Sequence, residues 1–169
     1  MKLRKECMAV FFLAAVLMMA FALSPATAAE FTYDKGPAFS VTYPDDWKAS
    51  GDNPSKVLLV TKVADSLPIM NIEAKDAPAG VALADVNAKT FKAALEKSQD
   101  TDAEVNETKE IKLSCGTPAS MSLFSWAYQG WMPLMTRIVS AYKDGKWVYV
   151  SVTSADDGSP EVPQSIKFK

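Results

Sequence analysis

The sequence predicts an α+β fold: a mainly antiparallel sheet made of two blocks of strands, with one long helix between them. Three observations carry this. Apolar and polar residues alternate from Phe31 to Ala74, the period lengthens to that of a helix over 81–99, and alternation then returns and runs through a hairpin closed by Asp144-Gly145.

Residues 1–28 stand outside that fold. Lys2, Arg4 and Lys5 precede an apolar run from Met8 to Leu23, Ser24-Pro25 breaks it, and Ala26-Thr27-Ala28 has small residues at the two positions that a signal peptidase reads. This is the pattern of a secretory signal peptide, with cleavage expected between Ala28 and Ala29. The run is short for a membrane span, and no cysteine follows it to carry a lipid. The expected location is therefore periplasmic or extracellular, with no stable membrane anchor after cleavage and residues 29–169 forming a single domain.

The first block holds four short strands. Phe31 and Tyr33 lead into a turn at Asp34-Lys35-Gly36-Pro37, and Phe39, Val41 and Tyr43 then alternate with Ser40 and Thr42 before Pro44-Asp45-Asp46-Trp47 turns the chain. Val57–Val63 and Ile69–Ala74 follow, parted by Asp65-Ser66-Leu67-Pro68. From Val81 to Gln99, Leu83, Val86, Thr90, Phe91, Ala94 and Leu95 fall near one stripe, whereas Asp85, Lys89, Lys92, Glu96 and Lys97 face away. That is an amphipathic helix of about five turns.

The second block comprises Glu107–Leu113, Ala119–Tyr128, Pro133–Lys143 and Lys146–Ser154. Asp144-Gly145 fits a type I′ turn, in which both central residues need positive φ. The register follows: Lys143 opposes Lys146, Tyr142 opposes Trp147, Ala141 opposes Val148, Ser140 opposes Tyr149 and Val139 opposes Val150. One face carries Val139, Ala141, Val148, Val150 and Val152, an aliphatic surface suited to a helix and interrupted by Arg137. The other carries Ile138, Ser140, Tyr142, Trp147, Tyr149 and Ser151. A sheet apolar on both faces needs cover on both, and the chain offers one long helix.

The stretch FSVTYPDDWK resembles the opening signature of the PsbP-like superfamily. The resemblance continues through the helix after the first strands, the Cys115-Gly116-Thr117-Pro118-Ala119 turn into a long strand, and the closing Tyr142-Lys143-Asp144-Gly145-Lys146-Trp147 hairpin. It implies an α/β/α sandwich around a mainly antiparallel sheet, serving as a binding or assembly module with no catalytic constellation. Members commonly finish with a helix across the sheet, whereas here only SADDGSPEVPQSIKFK remains, and Pro160 and Pro163 limit any helix there to a short turn. The expected C-terminal cover is thus shortened. Left bare, Tyr142, Trp147 and Tyr149 would each present about 150–250 Å², together more than a monomer usually exposes. The tail with the Asp45-Asp46-Trp47 turn is one candidate cover; a partner protein, a second subunit or a ligand is another.

Composition excludes several chemistries. The chain has no histidine, which removes Ser-His-Asp and Cys-His catalysis and His-ligated zinc. Taking the three bases and one acid of residues 1–28 from the totals of 18 and 20 leaves a net charge of −4, and Arg137 is the sole arginine left, so no basic stripe for nucleic acid exists. Cys115 has no partner for an intramolecular disulfide and reads as a turn residue, a reactive thiol being the alternative. Asp100-x-Asp102-x-Glu104 resembles a calcium loop but has Val105 at the glycine position and Ile111 at the closing glutamate. No metal or other cofactor is expected. Arg137 opposes Phe124, beside Trp126, if the turn between the two long strands has an even number of residues, and a cation–π contact with Trp126 then follows. An odd number sends those rings to the other face. An anion-binding role for Arg137 stays open.

The leading expectation is a secreted or periplasmic, non-enzymatic accessory protein that binds an envelope protein through its aromatic face, with Tyr142, Trp147, Tyr149, Ser140 and Ser151 as contacts. A homo-oligomer is left open. The alternatives are a carrier or chaperone-like binder of apolar small molecules and, third, a hydrolase dependent on carboxylates such as Asp45 and Asp46.

Overall fold

The computed structural model describes residues 28–34, 36–50, 58–61, 67–98, 103–155 and 165–169. The leader, apart from Ala28, lies outside them, as do Asp100, Asp102 and most of the C-terminal tail. The strands are β1 (Ala28–Tyr33), β2 (Phe39–Pro44), β3 (Lys48–Ser50), β4 (Leu58–Thr61), β5 (Ile69–Asp76), β6 (Ala103–Lys112), β7 (Pro118–Tyr128), β8 (Met132–Lys143), β9 (Lys146–Ser154) and β10 (Lys167–Phe168), with α1 (Leu83–Ser98) between β5 and β6. A seven-stranded antiparallel sheet in the order β3-β4-β5-β9-β8-β7-β6 forms the central layer. The helix covers one face. The other is covered by a three-stranded sheet in the order β1-β2-β10.

The α+β sandwich with one long helix and a short C-terminal cover is therefore present, and the layer opposite the helix is β rather than α among the described residues. Ser165 fastens this cover: its hydroxyl accepts the Thr42 amide and donates to the Thr42 carbonyl, both at 2.9 Å. Two residues later Lys167 pairs with Ser40, and Phe168 with Phe39. The FSVTYPDDWK stretch is β2 plus its turn, closed by the Trp47 amide on the Pro44 carbonyl (3.1 Å), which folds Trp47 back into the core.

Each face has its own core. Against the three-stranded sheet lie Val139, Ala141, Val148, Val150 and Val152, packed on Phe39, Val41, Trp47 and Ile166. Against the helix lie Phe124, Ile138, Trp147 and Tyr149, packed on Val86, Phe91 and Leu95. The helix thus sits on the aromatic face and not on the aliphatic face expected for it. Asn87 gives the reason. It is fully buried in the helix stripe, accepts from Ser140 Oγ at 2.6 Å and donates to Ser122 Oγ at 3.3 Å. Over the aliphatic residues of the other face the same amide would lack its two serine partners, and a buried amide left unpaired costs about 1–3 kcal/mol.

The β8–β9 register is the one predicted, from Lys143↔Lys146 to Val139↔Val150, and Asp144 and Gly145 have φ of 51° and 73°. The turn between β7 and β8 has an odd number of residues, Gln129 to Trp131, since Tyr128 pairs with Met132. Arg137 consequently opposes Leu123, and Phe124 opposes Thr136.

Candidate functional site

The predicted docking face is covered. Trp147 and Tyr149 retain 3% and 5% of their surface, and Ser140 and Ser151 are also buried. Tyr142 is half-buried at the helix entrance, where its hydroxyl donates to the Val81 carbonyl at 2.8 Å. Four of these five residues are buried and Tyr142 is half-buried, so they are core and core margin. The physical cause is the one that makes aromatic surface sticky: burying each large ring is worth about 1.5–3 kcal/mol, and the chain's own helix reaches it first.

The Arg137–Trp126 pairing is likewise absent. Trp126 lies on the helix side, donating its indole N–H to Thr136 Oγ1 at 3.0 Å, and Thr136 is bonded in turn to Thr153 at 2.8 Å. Arg137 is buried on the opposite side, and its Nε and Nη1 have no hydrogen-bond partner. Ala28 and Ala29, the expected cleavage pair, open β1 opposite Pro44 and Tyr43. Cys115 is exposed in the β6–β7 turn. Desolvation pushes its thiol up, and hydrogen bonds from the Thr117 hydroxyl, at 3.4 Å, and from nearby backbone amides together outweigh it and hold the thiol below the usual value.

Among the described residues, two features combine aromatic side chains with access to solvent. The first is the tip of the β7–β8 hairpin, where Trp131 is 68% and Tyr128 39% exposed. The turn is built by positive φ at Gln129 and Gly130 (52° and 72°) and by the Trp131 amide on the Tyr128 carbonyl at 3.2 Å. Behind it an aromatic row runs inward. Tyr128 meets Trp126 edge-on at 6.3 Å, Trp126 meets Phe91 at 6.1 Å, and Phe91 stacks on Phe124 at 4.3 Å. From Leu113 to Thr136 the chain carries no charged residue. Sequence reasoning passed over this tip because the strand alternation absorbs its aromatics, although a tryptophan in a Gln-Gly-Trp turn has no inner face to occupy.

The second is a groove of about 590 Å³ between α1 and β5. Trp147 and Tyr149, stacked at 4.1 Å, line it from β9. Glu73, paired across the sheet with Tyr149, lies beside them, buried. Lys75 approaches Glu73 Oε2 at 2.5 Å as an ion pair without hydrogen-bond alignment, and lies 5.5 Å from the Tyr149 ring centre. Burial, with the hydrogen-bonded Glu73 carboxylate next to it, pushes the Tyr149 hydroxyl well above its ordinary value. Among the described residues no cluster of three or more His, Cys, Asp or Glu side chains is placed to hold a metal ion, and no described helix is long and apolar enough to cross a membrane.

No family model matches the sequence, and neither does any curated protein. Solved structures do match its fold. The solution structure of cyanobacterial PsbP (CyanoP) from Synechocystis sp. PCC 6803 superposes with a TM-score of 0.66 at 14% identity, covering 87% of this chain and 95% of that one. The fold is PsbP-like. The same architecture recurs in the Ran-binding protein Mog1p of Saccharomyces cerevisiae (TM-score 0.58, 10% identity, 76% and 77% covered) and in a Bacteroides thetaiotaomicron protein (0.53, 14%, 83% and 48%). The PsbP-like likeness expected from FSVTYPDDWK thus holds at the level of the fold.

Proposed function

We propose that this chain is a non-enzymatic accessory module that binds another protein of the cell envelope, and that it does so through the β7–β8 hairpin tip rather than the sheet face. Trp131 carries this reading. Most of a large ring is held in water on a two-strand support whose inner end is anchored by Phe91 and Phe124. Tryptophan and tyrosine dominate binding hot spots because they bury much area with little loss of side-chain freedom. The uncharged chain around the tip suits the desolvated centre of an interface. That a PsbP-like fold can serve protein binding is supported by Mog1p, itself a Ran-binding protein. Residence in the periplasm or outside the cell rests on the leader pattern of residues 1–28.

Photo-crosslinking tests it. A photoreactive residue at Gln129 in the native host should yield one dominant adduct, and Trp131→Ala/Tyr128→Ala should abolish it while leaving the circular dichroism unchanged. Equal adduct yield from the double variant would remove the tip as the binding element.

A further inference from the structure

The groove between α1 and β5 is, we propose, a binding site for a small amphiphile with a carboxylate head. It is separate from the hairpin tip and stands or falls without it.

Charge decides the head. Three of the five charged groups that line the groove are already matched, Glu73 with Lys75, and Asp76 with Lys146, which lies outside the groove, at 2.6 Å. Lys89 and Lys97, which also line it, have no ion-pair partner among the described residues. Eight residues apart, they lie in one row of the helix with Ala93 between them. Ala93 has no bulk to separate their four-carbon stems, so the two ammonium groups, about 12 Å apart along the axis at their backbone positions, make one side of the groove positive. The indole N–H of Trp147, which lines the groove, is buried and makes no hydrogen bond, so its resonance reports on what enters the groove.

Shape and polarity decide the body. The row below the lysines is Val86, Thr90 and Ala94, which with Ala93 gives a low, mostly apolar wall. The Trp147–Tyr149 pair lies beneath it. A volume of about 590 Å³ lies within the range of about 300–1,000 Å³ usual for small-molecule sites. A saturated chain with one carboxylate matches these walls, whereas a cation would meet two uncommitted lysines.

The test is a titration of the mature protein, labelled at its tryptophan indoles, with dodecanoate below its micelle concentration. A saturable shift of the Trp147 indole signal and of amides between 86 and 97 is expected. Lys89→Glu/Lys97→Glu should weaken binding at least about tenfold, and the uncharged dodecanol should bind at least about tenfold more weakly than the acid. Both lysines are exposed, so the variant should keep the wild-type circular dichroism; Lys89→Ala/Lys97→Ala is the milder form and should show the same loss in part. No saturable shift, shifts confined to Trp131, equal binding by dodecanol, or unchanged binding by both lysine variants would each overturn the proposal.

Discussion

Ser140 donates its hydroxyl proton to Asn87 Oδ1 at 2.6 Å, across the interface between sheet and helix, where neither residue has any solvent exposure. Asn87 Nδ2 donates on to Ser122 Oγ at 3.3 Å, which also accepts from Thr108 Oγ1 at 3.4 Å. This polar seam ties the helix to β8, β7 and β6 in one register. Asn87→Ala leaves two buried hydroxyls short of a partner, so a loss of about 1–3 kcal/mol is expected from the denaturation midpoint. In a Ser140→Ala background the same substitution should cost less, since part of the interaction is already gone. Equal losses in both backgrounds would show that the two residues do not act together.

Arg137 poses the opposite case. It keeps 8% of its surface, stands between Leu123 and Val152 in the sheet, and leaves Nε and Nη1 without hydrogen bonds. A buried unpaired donor costs about 1–3 kcal/mol, and an apolar group of similar length removes that cost. Arg137→Met should therefore match or exceed the wild type in thermal midpoint. A drop of several degrees would mean that the guanidinium earns its place through an anion.

Much of this arrangement is legible in the sequence, and the limits are physical. The β8–β9 hairpin can be read residue by residue because Asp144-Gly145 admits one turn length and a period of two then assigns every face. The Tyr128-Gln129-Gly130-Trp131-Met132 turn allows more than one parity, and parity alone decides whether Arg137 meets Phe124 or Leu123. Pattern shows which residues share a face, yet not which layer covers it. A stripe of Val86, Phe91 and Leu95 fits aliphatic or aromatic ground equally. The deciding residue was Asn87, a polar side chain inside the apolar stripe, matched in type by Ser122 and Ser140 on one face of the sheet.

Two tryptophans should separate folding from binding. Trp47 is 8% exposed in the core under the three-stranded sheet, and Trp131 is 68% exposed. Trp47→Ala should cost about 3–5 kcal/mol in chemical denaturation. Trp131→Ala should stay within about 0.5 kcal/mol of the wild type while losing the crosslinked partner. A large stability loss at Trp131 would turn the tip from a binding element into a structural one.

Tyr149 should mark the alkaline limit of the fold. Its hydroxyl is buried beside Glu73, and desolvation first, then the bond to and charge of that carboxylate, raise its pKa from an ordinary value of 10. Folded Tyr149 keeps its proton where unfolded Tyr149 releases it. The stabilisation is thus complete below pH 10 and is lost as pH rises beyond it, by about 1.4 kcal/mol per pH unit for one proton. Tyr142, raised by desolvation, and Lys146, raised by its bond to Asp76, act in the same direction, so the absolute slope belongs to several groups. The difference between wild type and Tyr149→Phe isolates one. The variant should be less stable near neutrality, where it lacks the bond to Glu73, and should lose stability less steeply by one proton above pH 10. Parallel curves for the two proteins, followed by urea denaturation from pH 8 to 11, would mean that Tyr149 ionises as freely in the folded chain as in the unfolded one.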